Sequence, residues 1–187
     1  MLNEEIVYGG LCALASVYPT HVPEFAFFTT YDHTTWRDSR SVRSIWKRVR
    51  STSFWTRRVI LVPIHDVNHW MLAIVRPQEA RIDILDSLAD DKLWEEHAKH
   101  TADMMTALFH EAEAVHDIQL DIPTPWVAAP LEVEALQTSN YRDCGVWVLV
   151  VAAALLKGKQ STGLSDDEIP AFRRFLYHAI ATLGPST

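Results

Sequence analysis

The chain has few residues for covalent bracing. Two of its 187 residues are cysteine, Cys12 and Cys144. That is too few for a disulfide framework or a cysteine-built zinc site, and it suits a reducing compartment. No apolar run approaches the roughly 20 residues that a membrane helix needs, and no signal-peptide pattern opens the sequence. An intracellular location, nucleus or cytoplasm, is therefore expected, without membrane association. Positive charge is also short. Seventeen Lys and Arg stand against 24 Asp and Glu, a net charge of −7, which argues against nucleic acid as the main partner. There is no Gly-x-Gly-x-x-Gly, no phosphate loop and no Gly-x-Ser-x-Gly elbow. Repeats and low-complexity tracts are missing too.

What is present is ordinary in bulk: 48% hydrophobic and 22% charged residues. At this length the chain reads as one domain over residues 1–187, with a substantial core, and as a monomer. Asn3 is placed to cap a helix over 4–17, with Val7, Leu11, Leu14 and Tyr18 down one side. Residues 19–35 hold two prolines and many aromatics and read as an irregular packed segment. Val42, Ile45, Trp46 and Val49 then recur at helical spacing, within a stretch carrying Arg37, Arg40, Arg43, Lys47, Arg48, Arg50, Arg57 and Arg58. That stripe is either a solvated face or a dock for an acidic protein.

Three strand-like runs follow, Val59–Ile64, His69–Val75 and Ala80–Asp86, separated by short polar loops as in an antiparallel meander. The second is apolar throughout and suits the central strand. In the third, Ile82 and Ile84 share one face, and Asp83 and Leu85 the other. Residues 90–115 read as helix, 131–136 as a half-exposed strand, and 169–183 as a last helix with Phe172, Phe175, Leu176, Ala179 and Leu183 inward. The order of elements predicts an α+β fold with a central, mostly antiparallel sheet packed by helices.

The most informative segment is Asp143-Cys144-Gly145, which opens an eleven-residue apolar run from Val146 to Leu156. The run predicts a helix buried on all sides. Cys144 then sits in its first turn, where free N–H groups and the dipole favour a thiolate. A buried structural cysteine is the competing reading. A reactive thiol needs a base, and His69 opens its strand just after Asp66-Val67-Asn68. Asp86 closes the next strand. In a hairpin the start of one strand lies beside the end of the next, so His69 and Asp86 are expected neighbours. His65 and His69 do not form a helical metal pair. His97, His100 and Asp103 share a helix face but are read as solvated. His21, His33, His110, His116 and His178 form no constellation. No metal and no cofactor are expected.

With His69-Trp70, Asp86 and Gln137…Asp143-Cys144-Gly145 in this order, the chain resembles the ubiquitin-like-protein proteases, cysteine proteases that process and remove SUMO-type modifiers. The resemblance covers nearly the whole chain, from Leu2-Asn3-Glu4-Glu5 through Arg43-x-x-Trp46, Val62-Pro63-Ile64 and Asp86-Ser87-Leu88 to Arg173-Arg174-Phe175. It implies a papain-like fold, with Cys144 as nucleophile, His69 as base and then acid, and Asp86 as orienter of the ring. Gln137, with the Cys144 backbone N–H, would hold the oxyanion. Trp70 would cover a Gly-Gly tail, with Asn68 and Gly145 also on the substrate side. The implied partners are a ubiquitin-like modifier and its conjugates.

Two departures are visible. The SUMO-type members place the glutamine six residues before the cysteine, where this chain has Thr138; Gln137 is seven before, as in related viral proteases. The family's tryptophan ahead of the Leu-Asn pair has no counterpart here, which implies a more open tail tunnel or a trimmed domain. Two other classes remain. Some effector acetyltransferases share the fold and the His-acid-Cys order, and the basic run could serve their inositol phosphate or coenzyme A. A binding module without chemistry is the third reading. Asp86-Ser87 favours proteolysis.

Overall fold

The computed structural model describes residues 2–89, 93–121, 124–133, 137 and 142–182. The elements run α1 (Glu4–Val17), β1 (Phe25–Phe27), α2 (Thr30–Ser39), α3 (Val42–Val49), β2 (Val59–Asp66) and β3 (His69–Arg76). They continue with β4 (Arg81–Asp86), α4 (Trp94–His116), β5 (Val127–Pro130), α5 (Cys144–Leu156) and α6 (Ile169–Thr182). The strands lie in the order β1-β2-β3-β4-β5. β2, β3 and β4 form the antiparallel meander, and β1 and β5 add to its two edges in parallel. The sheet is thus mixed, with an antiparallel centre.

β3 is central because its sequence leaves it no exposed face. Leu72 and Ile74 pack with Leu11, Trp147 and Leu149 under α1, α5 and α6. Met71 and Ala73, pointing the other way, pack with Ile45, Ile84, Met105 and Phe109 under α2, α3 and α4. Ile82 and Ile84 join the second layer and Leu85 the first, following the alternation of a strand. Among the described residues no helix is long and apolar enough to cross a membrane.

Helix α5 is the buried rod that its composition demands, with every residue except Leu155 buried. Its first turn hangs from Asp143, whose carbonyl accepts from Val146 N (2.8 Å) and Trp147 N (3.0 Å). Arg173 of α6 donates to the Asp143 carboxylate, Nε at 3.0 Å. At the other end Gly158 takes φ +68°, and Lys159 N returns to Ala154 O at 2.9 Å. This is the left-handed stop that glycine permits at little cost.

Two expectations need correction. Residues 19–35 are not simply irregular: they include β1 and the start of α2. Thr29 caps that helix and Asp32 bonds back to Thr29 N at 2.7 Å, a reciprocal cap that a Thr-x-x-Asp spacing encodes. Among the described residues the last strand is Val127–Pro130, and 131–133, the described part of the expected 131–136 strand, are not in it. Residues 134–136 lie outside the described set, as does Leu183.

Adjacent glycines in α1 separate helix propensity from packing. A methyl on Gly9 would meet nothing within 4 Å, whereas on Gly10 it would lie 2.6 Å from Leu149 Cδ1. Leu149 is fully buried and cannot swing clear. Gly9→Ala should therefore stabilise the fold by about 0.5–1 kcal/mol. Gly10→Ala should destabilise it by roughly 1–3 kcal/mol. Urea denaturation of the two variants checks this, and a stabilised Gly10→Ala would show that the α1–α5 contact is loose.

Candidate active site

The β2–β3 hairpin, the end of β4 and the start of α5 meet at one end of the sheet. Val67 and Asn68 form the two-residue hairpin turn, at φ +42° and +64°. Asn readily takes this left-handed conformation; a β-branched valine does so with strain. Val67 is nevertheless 89% exposed, so no packing holds it there. His69 follows, in register with Asp66 across the hairpin, while Asp86 is in register with Met71. The expected neighbours are neighbours: His69 Nε2 lies 2.7 Å from Asp86 Oδ1. The same carboxylate oxygen accepts from Leu88 N at 2.9 Å, which holds it in place.

Cys144 approaches the imidazole from the α5 side, close enough that each group shifts the other's protonation. His69 can bridge the two because it is the first residue of its strand, beyond the packed body of the sheet.

The charges follow from these contacts. Burial pushes the His69 imidazolium down, but the hydrogen bonds and charges of Asp86 and Cys144 outweigh it and lift the ring to about 9. Burial pushes the Cys144 thiol up. The His69 hydrogen bond, the backbone N–H groups of Trp70 and Gly145 and the His69 charge together bring it below an ordinary thiol. Cys12 goes the other way: burial raises it, only partly offset by a hydrogen bond from Tyr8. The arrangement favours a thiolate–imidazolium pair at Cys144 and His69, and a protonated thiol at Cys12.

The remaining predicted residues are placed as follows. Gln137 is buried, and its backbone N donates to Ser87 O at 3.0 Å. Ser87 Oγ donates to its Oε1, also at 3.0 Å. In this orientation the amide nitrogen of Gln137 is turned away from Ser87. Thr138 lies outside the described residues. Asn68 is exposed beside His69. Gly145 carries no side chain where a methyl would stand 3.1 Å from the Trp70 indole.

Trp70 departs from the expected lid. Its indole is 1% exposed, stacks on His65 with centroids 4.3 Å apart, and donates Nε1–H to Leu2 O at 3.0 Å. It alternates with His69 as a strand requires, and so becomes a wall behind Cys144 in the α1–α5 core.

Two further expectations change. Four of the basic residues between 37 and 58 are spent on internal ion pairs: Arg37 with Asp66, Arg40 with Asp103, Arg48 with Asp32, and Arg58 with Glu24. Half of the basic stripe is thus used in joining elements, which leaves less of it for an acidic partner or an inositol phosphate. His97 and His100 were expected in solvent with Asp103. Instead Asp103 alone is exposed, and His97 turns inward against His33.

A thiol on the first turn of a buried helix thus stands beside an imidazole that a carboxylate orients from an adjoining strand, on an α+β scaffold. Residues 18–186 match the Ulp1 protease family, C-terminal catalytic domain, and the chain belongs to that family. Mouse sentrin-specific protease 3 is 25% identical over 178 residues, which cover 94% of this chain and 29% of the mouse protein. The chain thus spans less than a third of the length of that relative. The C-terminal Ulp1 protease domain in complex with Smt3, the yeast ortholog of SUMO, superposes with a TM-score of 0.75. It is 22% identical, covering 97% of this chain and 76% of that one. The Xanthomonas campestris effector XopD, bound to ubiquitin, has a TM-score of 0.67 at 16% identity, covering 97% and 90%. At such identities the structures show a common fold.

The contrast between the two cysteines is measurable. Alkylation depends on the thiolate, so its rate rises with pH through each thiol's pKa. The midpoint for Cys144 should fall below the usual value of about 8.5, and that for Cys12 above it. His69→Ala should move the Cys144 midpoint upward, because burial is then less opposed. Peptide-resolved mass spectrometry after timed iodoacetamide labelling reads both, and an unmoved midpoint would break the Cys–His pair.

Proposed function

We propose that this chain is a cysteine isopeptidase and endopeptidase that cleaves after the Gly-Gly tail of a ubiquitin-like modifier, SUMO-type first. The observation that carries the reading is the 2.7 Å His69–Asp86 contact, with the Cys144 thiol beside the same ring and lowered by it. Membership of the Ulp1 family supports the reaction class. The names of the mouse relative and of the Smt3 complex support the modifier class. A reduced thiol at Cys144 suits the nucleus or the cytoplasm.

In this mechanism the Cys144 thiolate attacks the carbonyl carbon of the terminal glycine. The negative charge that develops on the carbonyl oxygen is met by the Cys144 backbone N–H and the Gln137 amide nitrogen, with Ser87 holding the amide by its oxygen. His69, as imidazolium, gives its proton to the leaving amine, so the tetrahedral intermediate collapses to a thioester. Water then enters, His69 takes its proton, and the modifier leaves with a free carboxylate. Asp86 orients the ring and stabilises its charged form. Asn68 and the strained, exposed Val67 flank His69 on the side from which a protein substrate arrives. Trp70 acts from behind: its indole packs on Gly145 and supports the turn carrying Cys144. A surface cleft of about 780 Å³ between Arg76, Arg81 and Lys159 is at the other end of the strands and is given no part in this reaction.

The test is a set of modifier-terminated probes with an electrophile after Gly-Gly. A SUMO probe should label the wild-type chain at Cys144, with Cys12→Ser labelled equally and Cys144→Ser not at all. Labelling by a ubiquitin probe alone would reassign the modifier, and labelling by neither would remove the peptidase reading.

Two kinetic outcomes follow from the charges. The acid form of His69 is needed for amine departure, and it is lost as pH rises through about 9, so kcat/KM should fall on an alkaline limb near that pH. Asp86→Asn should move that limb to lower pH, because the carboxylate helps raise the ring. Gln137→Ala should cost about 10²–10³ in kcat with little change in KM. A rate within a few-fold of wild type would reassign the oxyanion donor.

A further inference from the structure

Three histidines outside the candidate active site meet on the opposite face of the sheet from α5. His33 comes from α2 and is 0% exposed. His97 and His100 are three residues apart on α4, so they share a helix face; His97 is 2% exposed and His100 half-buried. The His33 ring centroid is 5.2 Å from that of His97 and 6.0 Å from that of His100. One nitrogen from each of the three rings lies within 4.8 Å of the other two.

These nitrogens have no hydrogen-bond partner among the described residues. Both ring nitrogens of His33, Nδ1 of His97 and Nδ1 of His100 are buried without a hydrogen bond. So is the hydroxyl of Thr101, one helical turn beyond His97. The His33 ring leans toward the His97 backbone carbonyl without reaching hydrogen-bond geometry. In folded proteins the large majority of buried polar atoms are paired, so an orphan cluster of lone-pair donors facing one another calls for a common ligand.

We propose that His33, His97 and His100 bind a divalent transition metal, with zinc the ion best suited to three imidazoles. Zinc–nitrogen bonds of about 2.0–2.1 Å in a tetrahedral centre set the ligand nitrogens roughly 3.4 Å apart. The rings must draw together by up to roughly 1.4 Å, within reach of side-chain torsions. The outer partner is already in position. Nε2 of His97 is 3.5 Å from Asp66 Oδ2, whose Oδ1 accepts from Arg37 at 2.6 Å. A carboxylate on Nε2 selects the tautomer that leaves Nδ1 for the ion, and Nδ1 is the unpartnered nitrogen of His97. The ion would join α2 to α4 and, through Asp66, to the end of β2, which is in register with His69. It is a brace behind the general base and takes no part in the reaction.

Because the Cys144 thiolate and His69 would themselves attract zinc, the measurement uses the Cys144→Ser chain, stripped with chelator. Zn²⁺ is titrated by calorimetry, Co²⁺ by its visible absorption, and Tm is followed with and without Zn²⁺. The expected result is one ion per chain, a tetrahedral Co²⁺ spectrum and a higher Tm. Asp66→Asn should weaken binding by about 10–100-fold, and loss of a ligand, as in His100→Asn or His33→Asn, by more than that. His178→Asn, exposed on α6, should bind as well as its parent. If His33→Asn fails to fold, the half-buried His100 decides the matter. The proposal is overturned by no saturable binding to the Cys144→Ser chain, or by full affinity in His100→Asn.

Discussion

Helix α5 has no polar side, and its enclosure organises the rest of the molecule. A rod of valine, leucine, alanine and tryptophan has to be covered around its whole circumference. The sheet through β3, with α1 and α6, does so. This leaves the first turn of α5 at a single place, against the end of the sheet where β3 begins and β4 ends. The thiol of Cys144 is held in reach of His69 by apolar packing over the length of the helix. Gly10 and Gly145 mark two points where that packing leaves no room for a methyl group without a shift, one against Leu149 and one against Trp70.

Around this frame the charges are arranged so that few act alone. Asp86 accepts from both His69 and the Leu88 backbone, which makes its position a property of the chain turn after β4. Asp143 is tied to Arg173, so α6 steadies the residue that starts α5. Asp66 links Arg37 to the histidine cluster one strand-end away from the general base. Both sheet faces therefore converge on the same hairpin: α5 brings the nucleophile from one side, while α2 and α4 hold the end of β2 from the other. The ion pairs of the basic segment explain why its charge count overstates its capacity to dock a partner. A carboxylate such as Asp32, buried with Arg48, serves to join α2 and α3.

Much of this was legible from residue order. Local periodicity determined α1, α3, the meander, α4, α5 and α6, because each carries an apolar pattern that only one element type can bury. The His69–Asp86 proximity could also be read, since antiparallel pairing is a rule of geometry. The segment at 19–35 was less legible because prolines and aromatics obscured a short strand and a helix start, although Thr29 and Asp32 did carry a capping signal. The strand at 127–130 was not legible because Val127-Ala128-Ala129-Pro130 has no alternation and ends in proline, so only its parallel pairing with β4 defines it.

Other features had no local signal. Trp70 follows a candidate base, and whether its indole faces a substrate or the core depends on what packs over it; Leu2, His65 and Gly145 place it in the core. His33 lies 64 residues before His97, and nothing near either position announces the other. Their meeting arises from α2 and α4 packing on the same sheet face, a contact between distant segments. Sequence by itself determined most of the helices, the central meander and the candidate chemistry, because these are written in short-range pattern and residue type. Tertiary structure alone decided which buried groups face each other, because that depends on how whole elements stack.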